Sequence, residues 1–528
     1  MATHNNPATS RQEEEVAVQA KAQAVAGACQ LPSGADLAPC TIVIFGASGD
    51  LATRKLIPAL YNLFANHGLP TSFNIVGCGR TNLSHDAFRD NLQAALHREG
   101  GIDLSHWPEF AAHLYFIPLH YDVLTDYQEL HRFLTKLDSA TKTGANRLFY
   151  LAVPPTLYPT IAELLGQSGL SREQEQEKRW ARIVVEKPFG RDAASADALE
   201  RTLHSNFEEH QIFRIDHYLA KETVQNILML RFANAIFEPL WNRGYIDYVG
   251  IVAAEKLGVE HRAGYYEQAG VIRDMFQNHM LQLLALTALE PPSHFEAERV
   301  QDEKAKVFRS LKPFDVERWS ENLVLGQYAP GSIDGGAAPG YREEPGVGPH
   351  SSTPTFAVMR TFIDNWRWRG VPFYLASGKR LARKETRIVI QFKQVPHSMF
   401  RNVFEEDIVA NRLILGIYPE EEISLTFQTK TPGAKDCLRP VTMEFKYYQG
   451  YRGPTLAAYE KVLLDCIQGD HLLFWRQDGV ALTWSFLSSI LEVCEVCSMT
   501  NQRLHPYPAG SLGPAAAQPW MRLLMDER

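Results

Sequence analysis

The segment Thr41-Ile-Val-Ile-Phe-Gly-Ala-Ser-Gly-Asp-Leu-Ala52 joins a short apolar run to a glycine turn and the start of a helical pattern. The run at 41–45 is typical of a buried parallel strand. Glycines after such a strand permit a tight turn and the close approach of a pyrophosphate, whose charge suits a helix N-terminus. The segment therefore predicts a dinucleotide site, although an ordinary strand-to-helix turn is the alternative. Its residues are Gly46, Ala47, Ser48, Gly49, Asp50 and Leu51.

Strand and helix patterns alternate after this turn. A helical pattern covers about 50–65, and buried strand patterns follow at 73–77, 147–153 and 181–185. This alternation predicts a doubly wound parallel sheet, and we assign a Rossmann-like domain to residues 39–217. Residues 1–38 are rich in alanine and glutamate, and we expect a mobile N-terminal extension there.

The pattern changes after about residue 240, where strands follow one another through short links. Strand patterns occur at 248–254, 386–392, 412–418, 423–429 and 441–447, and helical patterns near 265–289, 295–310, 456–468 and 478–498. Residues 330–354 are rich in Gly, Pro and Ser and are predicted to form a long loop. The fold class is therefore α/β, with a Rossmann-like domain and a larger α+β domain at 218–528 that contains a mainly antiparallel sheet.

Composition excludes several classes of protein. The 528 residues carry a formal net charge of -8, which argues against a general nucleic-acid binder. No apolar run approaches about 18 residues, so we expect no membrane span. No basic region followed by an apolar region occurs near the start, so we expect no signal peptide. The seven cysteines lack a repeating spacing, which favours a reducing, cytoplasmic location. No spaced His/Cys ligand set is present, no metal is expected, and Cys494 and Cys497 are predicted to pack in a helix.

The end of the second predicted strand indicates which dinucleotide is bound. Enzymes that use NAD usually carry Asp or Glu there, whereas this chain has Gly77-Cys-Gly-Arg-Thr81. Arg80 can hold a 2′-phosphate through paired charge-assisted bonds, so NADP is preferred over NAD. A solvated surface arginine is the alternative for Arg80, and solvated helix charges are favoured for Arg54 and Lys55.

Two segments carry candidate substrate groups. Lys187 follows the predicted strand at 181–185, and the carboxyl end of such a strand faces the ligand crevice. Further on, the segment 214–222 reads Arg-Ile-Asp-His-Tyr-Leu-Ala-Lys-Glu. If a helix begins near Tyr218, then His217, Tyr218 and Lys221 make a good phosphate cradle. The alternative for Lys187 is a charged residue at the end of a strand. The alternative for the segment 214–222 is a helix start stabilised by salt bridges.

A candidate base lies at the start of an apolar helical pattern. His279 follows Arg273-Asp274, and an imidazole oriented by a carboxylate such as Asp216 is the usual general base near neutral pH. A hydrogen-bonded core histidine is the alternative.

These segments, together with 46–52, 231–234 and Gly378-Lys379, occur in the order found in glucose-6-phosphate dehydrogenases. The chain resembles that family over about residues 41–500, with Ala220 in place of the usual glycine. The resemblance implies oxidation of D-glucose 6-phosphate at C1 to 6-phospho-D-glucono-1,5-lactone. It also implies hydride transfer to NADP, in the first step of the oxidative pentose phosphate pathway.

The resemblance implies a role for each matching residue. His279 removes the C1 hydroxyl proton, Asp216 orients it, and Lys187 contacts both substrate and nicotinamide. The implied phosphate ligands are His217, Tyr218 and Lys221. The implied sugar and closing contacts are Glu255, Asp274, Lys379 and Lys384, and Tyr150 offers a backbone contact to the cofactor.

The family forms homodimers or homotetramers through the second domain's sheet, so we expect the same here. Ala376 and Glu385 replace basic residues of some members, which argues against a second, structural NADP site. Two other functions are compatible with a dinucleotide-binding sheet. Another Rossmann-fold sugar oxidoreductase need not carry the segment 214–222, and a catalytically silent NADP sensor is expected to lose His279, Asp216 or the lysines.

Overall fold

A computed structural model describes most of the chain after the first 32 residues. The described residues are 33–174, 176, 179–398, 408–433, 437–449, 451, 453, 455–500 and 504–525, without the side chains of 99 and 494–500. The predicted extension therefore lies outside the described residues as far as residue 32, as do the side chains of Cys494 and Cys497. Residues 33–38 contain a short turn at Gly34–Asp36, where the Gly34 amide donates to the His67 carbonyl (2.9 Å).

The first sheet has seven strands. In order across the sheet they are Phe474–Trp475, Ile212–Ile215, Ala181–Val185, Arg147–Leu151, Cys40–Phe45, Phe73–Gly79 and Leu114–Pro118. All neighbours are parallel except the first pair. Helices follow the strands at Ile57–Ala65, His85–Glu99, Trp107–Ala111, Leu124–Thr141, Tyr158–Gln167 and Ala193–His204. The doubly wound parallel sheet is thus confirmed, and it also contains three strands that sequence patterns missed, Leu114–Pro118, Ile212–Ile215 and Phe474–Trp475.

The predicted glycine turn lies where the strand order reverses. Strand Cys40–Phe45 pairs with Phe73–Gly79 on one side and with Arg147–Leu151 on the other. The carboxyl ends of strands at such a point form the ligand crevice of open α/β sheets. Gly46 has φ 81°, and a Cβ atom there would lie 2.3 Å from the Ala152 carbonyl oxygen. Only glycine fits this turn, which leads directly into helical backbone at Asp50.

The second sheet has nine strands. In order they are Leu438–Lys446, Glu422–Lys430, Arg412–Tyr418, Glu385–Phe392, Ile246–Ala254, Pro372–Gly378, Phe356–Phe362, Leu323–Ala329 and Leu504–Pro508. Neighbours are antiparallel except that Ile246–Ala254 runs parallel to Pro372–Gly378, and Leu323–Ala329 parallel to Leu504–Pro508. The mainly antiparallel sheet is confirmed.

Sequence patterns found five strands of this sheet and missed the other four. The missed strands are Leu323–Ala329, Phe356–Phe362, Pro372–Gly378 and Leu504–Pro508. The long loop predicted at 330–354 is wrong in part, because it contains a hairpin of Gly331–Ile333 and Gly336–Ala338. Asp334 and Gly335 form its turn with positive φ, and this Asp-Gly pair is a strong hairpin signal in a sequence.

Helices of the second part pack on both sheets. They are Glu222–Phe232, Ala263–Val271, Ile272–Met280, Leu281–Ala288, Ala297–Arg309, Ala458–Gln468, Gln477–Thr500 and Gln518–Met525. The helical pattern predicted at 265–289 is interrupted at Gly270, whose backbone is not helical (φ 57°), and it continues with π-type turns over Ile272–Met280. Such π-turns are frequent at functional sites. None of the described helices is both long enough and apolar enough to cross a membrane.

The C-terminal part of the chain returns to the first sheet. Strand Phe474–Trp475 pairs with Ile212–Ile215 at one edge, and the Arg182 guanidinium donates to the carbonyls of Cys466 (2.7 Å) and Ile467 (2.6 Å). The two sheets therefore share a continuous buried core. This packing brings helices of the second part against the carboxyl ends of the first sheet's strands.

Candidate active site

The predicted carboxylate and the predicted base meet in the core. Asp216 directly follows strand Ile212–Ile215, and His279 lies in the π-turns of Ile272–Met280. Although they are 63 positions apart, His279 Nδ1 is 2.5 Å from Asp216 Oδ1. His279 is 1% exposed and Asp216 2%. The structure thus pairs them, away from bulk water.

The partners of His279 define its tautomer. Lys187 Nζ lies 2.9 Å from His279 Nε2, and an ammonium group can only donate. Nε2 therefore carries the lone pair, and the ring proton is on Nδ1, facing Asp216. Burial lowers the pKa of His279 below its usual value, while Asp216 opposes the shift. A neutral imidazole whose Nε2 carries the lone pair is a competent base near pH 7 once a substrate hydroxyl takes the place of the Lys187 contact.

Lys187 connects this pair to Asp274. Its Nζ donates to the Asp274 carbonyl (3.0 Å) and to Asp274 Oδ1 (3.1 Å). Burial opposes the charged form of both residues, but their mutual attraction dominates, so the pKa of Lys187 is raised and that of Asp274 is lowered. Lys187 is therefore a cation held at the base atom of His279.

Two residues of the predicted phosphate cradle contact the same imidazole, and the third lies over the Tyr218 ring. The Tyr218 ring stacks on His279 with centroids 4.0 Å apart, and the His217 ring meets it edge-on at 4.9 Å. Lys221 Nζ lies 4.2 Å from the Tyr218 ring centroid. Burial lowers the pKa of His217 to about 3 and that of Lys221 to about 8. His217 is thus neutral at pH 7, and Lys221 is the cation of this cluster.

The helix after the cradle begins later than expected. A start near Tyr218 is wrong, because the helix is Glu222–Phe232 and Lys221 precedes it. The Tyr218 amide donates to Asp216 Oδ1 (3.0 Å), and this local bond competes with helical bonding. The turn at 216–218 places His217 and Tyr218 against His279.

The remaining substrate candidates come from the second sheet. Glu255 follows strand Ile246–Ala254, and Lys379 follows its parallel neighbour Pro372–Gly378, so both lie at one edge and form an ion pair. A cavity of about 220 Å³ is lined by Glu255, Lys379 and Lys384, among others. Lys384 Nζ is 3.1 Å from the Tyr418 hydroxyl, and Lys221 Nζ is 5.3 Å from the same ring's centroid.

The cofactor candidates converge at the carboxyl edge of the first sheet. Arg80 follows strand Phe73–Gly79 and is exposed, next to the turn at Gly46. Tyr150 is the penultimate residue of Arg147–Leu151, and its hydroxyl donates to Glu186 Oε1 (2.6 Å), one residue before Lys187. A glycine turn, a helix start and an exposed arginine at adjacent strand ends fit a phosphorylated dinucleotide.

Sequence reasoning missed several groups of this site. Tyr265 donates to Asp274 Oδ1 (3.4 Å), and Glu186 accepts from Tyr150 and, at 3.4 Å, from Tyr459. The spacing of these residues in the sequence does not predict their contacts. Tyr418 was also missed as the ring that Lys221 and Lys384 share.

Asp216, His217 and His279 also bring metal-ligand atoms within 4.8 Å of one another. His279 Nδ1 is already bonded to Asp216, and its Nε2 faces the Lys187 ammonium. Both ring nitrogens therefore have partners that suit proton transfer, and a base explains the cluster.

A base at the carboxyl edge of a dinucleotide-binding sheet fits a nicotinamide-dependent oxidoreductase, in which a base takes the proton from the alcohol oxygen while the hydride leaves the adjoining carbon. Comparison with known proteins identifies the family. Residues 43–226 match the family model described as glucose-6-phosphate dehydrogenase, NAD binding domain, and residues 228–525 match that of its C-terminal domain. The chain belongs to the glucose-6-phosphate dehydrogenase family.

Curated relatives and solved structures agree. The chain is 47% identical over 478 residues to glucose-6-phosphate 1-dehydrogenase of Aggregatibacter actinomycetemcomitans, covering 90% of this chain and 94% of the relative. It is also 42% identical over 474 residues to glucose-6-phosphate 1-dehydrogenase of Bacillus subtilis, covering 90% of this chain and 94% of the relative. A solved glucose-6-phosphate dehydrogenase in complex with glucose 6-phosphate superimposes with a TM-score of 0.83 and 33% identity, covering 93% of this chain and 98% of the other.

Proposed function

We propose that this protein oxidises D-glucose 6-phosphate at C1 to 6-phospho-D-glucono-1,5-lactone, with hydride transfer to NADP. This is the first step of the oxidative pentose phosphate pathway. The observation that carries the proposal is the buried Asp216–His279 pair, whose base atom points to the lysine at the dinucleotide edge. The match over both domains disfavours another Rossmann-fold sugar oxidoreductase, and the complete His, Asp and Lys set disfavours a silent sensor.

His279 acts as the general base. Its Nε2 accepts the proton of the C1 hydroxyl. In the complex this hydroxyl takes the place of the Lys187 ammonium that otherwise donates to Nε2. Lys187 keeps its two bonds to Asp274 and remains beside the reacting carbon. Asp216 stabilises the imidazolium that forms. When bound, NADP supplies the hydride acceptor.

The other side chains hold the sugar phosphate. Lys221 provides the positive charge for the 6-phosphate, and the neutral His217 and Tyr218 add hydrogen bonds. Asp274 and Glu255 accept bonds from sugar hydroxyls. Lys379 and Lys384 close the site from the second sheet.

The first sheet holds NADP. Gly46, Ala47, Ser48, Gly49, Asp50 and Leu51 cradle the pyrophosphate, Tyr150 contributes a backbone contact, and Lys187 contacts the nicotinamide. Arg80 binds the 2′-phosphate, which favours NADP over NAD. Arg54 forms an exposed ion pair with Asp50 (3.4 Å), as expected of a solvated helix charge.

The decisive experiment measures formation of the reduced dinucleotide, NADPH or NADH, by ultraviolet absorbance. Glucose 6-phosphate and glucose are compared as substrates, and NADP and NAD as cofactors. We expect turnover with glucose 6-phosphate and NADP, and a phosphorylated lactone or its hydrolysis product by mass spectrometry. Absence of glucose 6-phosphate-dependent NADPH formation by folded protein would overturn the proposal. His279→Asn is the matched inactive control.

We also infer a homodimer or homotetramer built through the second sheet. Exposed apolar side chains lie on its edge strand Leu438–Lys446 and on the neighbouring strand Glu422–Lys430, including Phe427, Met443 (64% exposed) and Phe445. Such a patch suits a subunit interface. Light scattering of the wild type and of Met443→Glu tests it, and a wild-type monomer would contradict it. The cytoplasmic location and the domain bounds 1–38, 39–217 and 218–528 are proposals of the same kind.

A further inference from the structure

A lysine interrupts the apolar face of the helix Ala297–Arg309. Val300, Lys304 and Phe308 follow at intervals of four residues and are all buried. Lys304 is only 1% exposed, and within the described residues its Nζ has no hydrogen-bond partner. Lysine is almost never fully buried without a partner, so this position calls for an electrostatic explanation.

The same helix face packs behind the active site. Gln301 Nε2 donates to the Phe474 carbonyl (2.6 Å), and the Phe308 ring stacks on Trp475 with centroids 5.7 Å apart. Strand Phe474–Trp475 pairs with Ile212–Ile215, which ends directly before Asp216. Lys304 therefore lies on a helix that packs against the strand pair leading to Asp216, and Asp216 is the anion that most strongly opposes the effect of burial on the pKa of Lys304.

The other charges near Lys304 are already compensated. Arg476 binds Asp478 (2.8 and 2.9 Å) and Asp302 (2.8 Å), and Arg309 lies 3.5 Å from Asp478. Helix Leu281–Ala288, which also packs on this helix, carries no charged residue. These two arginines and two aspartates balance. Arg214, on the strand that pairs with Phe474–Trp475, binds Glu200 and the partly exposed Glu209, and Glu492 of helix Gln477–Thr500 is exposed to solvent. Asp216 is the anion that raises the pKa of Lys304 most.

Asp216 is the complementary case. Its Oδ1 binds His279 and the Tyr218 amide, whereas its buried Oδ2 has no partner within the described residues. The nearby Lys187 charge is matched by Asp274, and His217 is neutral. With His279 neutral, as a base must be, Asp216 is an isolated buried anion unless Lys304 balances it.

We propose that Lys304 is a positioning residue for the Asp216–His279 base, compensating the Asp216 carboxylate while His279 is neutral. The inference rests on the proposed function. Without Lys304, the isolated Asp216 charge would draw a proton onto His279 and silence the base. Burial lowers the pKa of Lys304 to about 7 and Asp216 opposes the shift, so Lys304 is charged below neutrality, where His279 is most at risk of protonation.

The test is the pH dependence of kcat/KM for Lys304→Met, an apolar side chain of similar length. Because kcat/KM reports ionisations of the free enzyme, we expect its acidic limb to move up by roughly one pH unit, as one charge does at an effective dielectric of about 20. Below the limb kcat/KM falls about tenfold, and at alkaline pH it converges on the wild type. Lys306→Met is the control, since Lys306 is 62% exposed on the same helix and binds Glu303 (2.6 Å).

Lys304→Gln should shift the limb as Lys304→Met does and provides a second folded variant, while Lys304→Arg should keep the wild-type limb. A wild-type limb in both neutral variants, or an equal loss of rate at every pH, would show a packing role and overturn the inference. These outcomes presuppose an active wild type. A wild type that does not reduce NADP with glucose 6-phosphate would instead refute the proposed function.

Discussion

The first sheet's side of the active site and the second sheet's side are built differently. Asp216, His279 and Lys187 are bonded to one another inside the core before any substrate arrives. Lys221 and Lys384, by contrast, lie partly or largely exposed around the Tyr418 ring. A preorganised buried group can stabilise charge that develops during the reaction, whereas a mobile cation mainly attracts and holds an anion. The first side should therefore control kcat, and the second should control KM.

The largest expected effect tests the buried side. His279→Asn should lower kcat by about 10²–10⁴-fold, the usual contribution of a general base, while glucose 6-phosphate still binds. Asp216→Asn should lower kcat as well. The double variant should be about as active as the less active of the two single variants, because the pair acts as a unit. Steady-state kinetics with calorimetric binding checks this. A His279 variant that binds both ligands and keeps its rate would show a merely packed histidine.

A smaller effect is expected on the exposed side. Lys221→Ala should raise KM for glucose 6-phosphate roughly tenfold to a hundredfold, since a hydrogen bond to a charged group contributes about 1.5–3 kcal/mol. Activity on unphosphorylated glucose should hardly change. Initial rates with both sugars check this, with the exposed Lys55→Ala as control. Unchanged glucose 6-phosphate kinetics would make Lys221 a structural charge.

The choice between NADP and NAD depends on Arg80, an exposed residue at the end of a first-sheet strand. Arg80 should therefore affect cofactor binding, unlike the buried residues at the other strand ends. Arg80→Ala should weaken NADP about tenfold and NAD very little, because only NADP offers a 2′-phosphate. Dissociation constants for both dinucleotides check this. Equal weakening of the two would remove Arg80 from the 2′-phosphate site.

The smallest effect concerns the rim between the two sides. Tyr265→Phe should lower kcat/KM only about twofold, because its bond to Asp274 is long (3.4 Å) and Lys187 already compensates that carboxylate. Kinetics against Tyr245→Phe, an exposed tyrosine elsewhere, checks this. A loss of more than about a hundredfold would place Tyr265 among the groups that act on the reacting atoms.

Sequence patterns predicted local structure well where periodicity was strong. The helix at 295–310 is Ala297–Arg309, and the strand at 412–418 is found with the same bounds. They failed for Pro372–Gly378, which precedes Lys379, because small residues and a proline hide its strand character. The candidate side chains were found from motifs, while their contacts were not.

By itself the sequence determined the strand–turn–helix at 41–52 and the basic residue at the end of the next strand, because these depend on residue type and short spacing. Only the tertiary structure decided that His279 meets Asp216 from 63 positions away, that Lys187 faces Nε2 of His279, that Glu255 and Lys379 share an edge, and that Lys304 is buried. These pairings depend on sheet order and helix packing between distant segments, which no local pattern encodes.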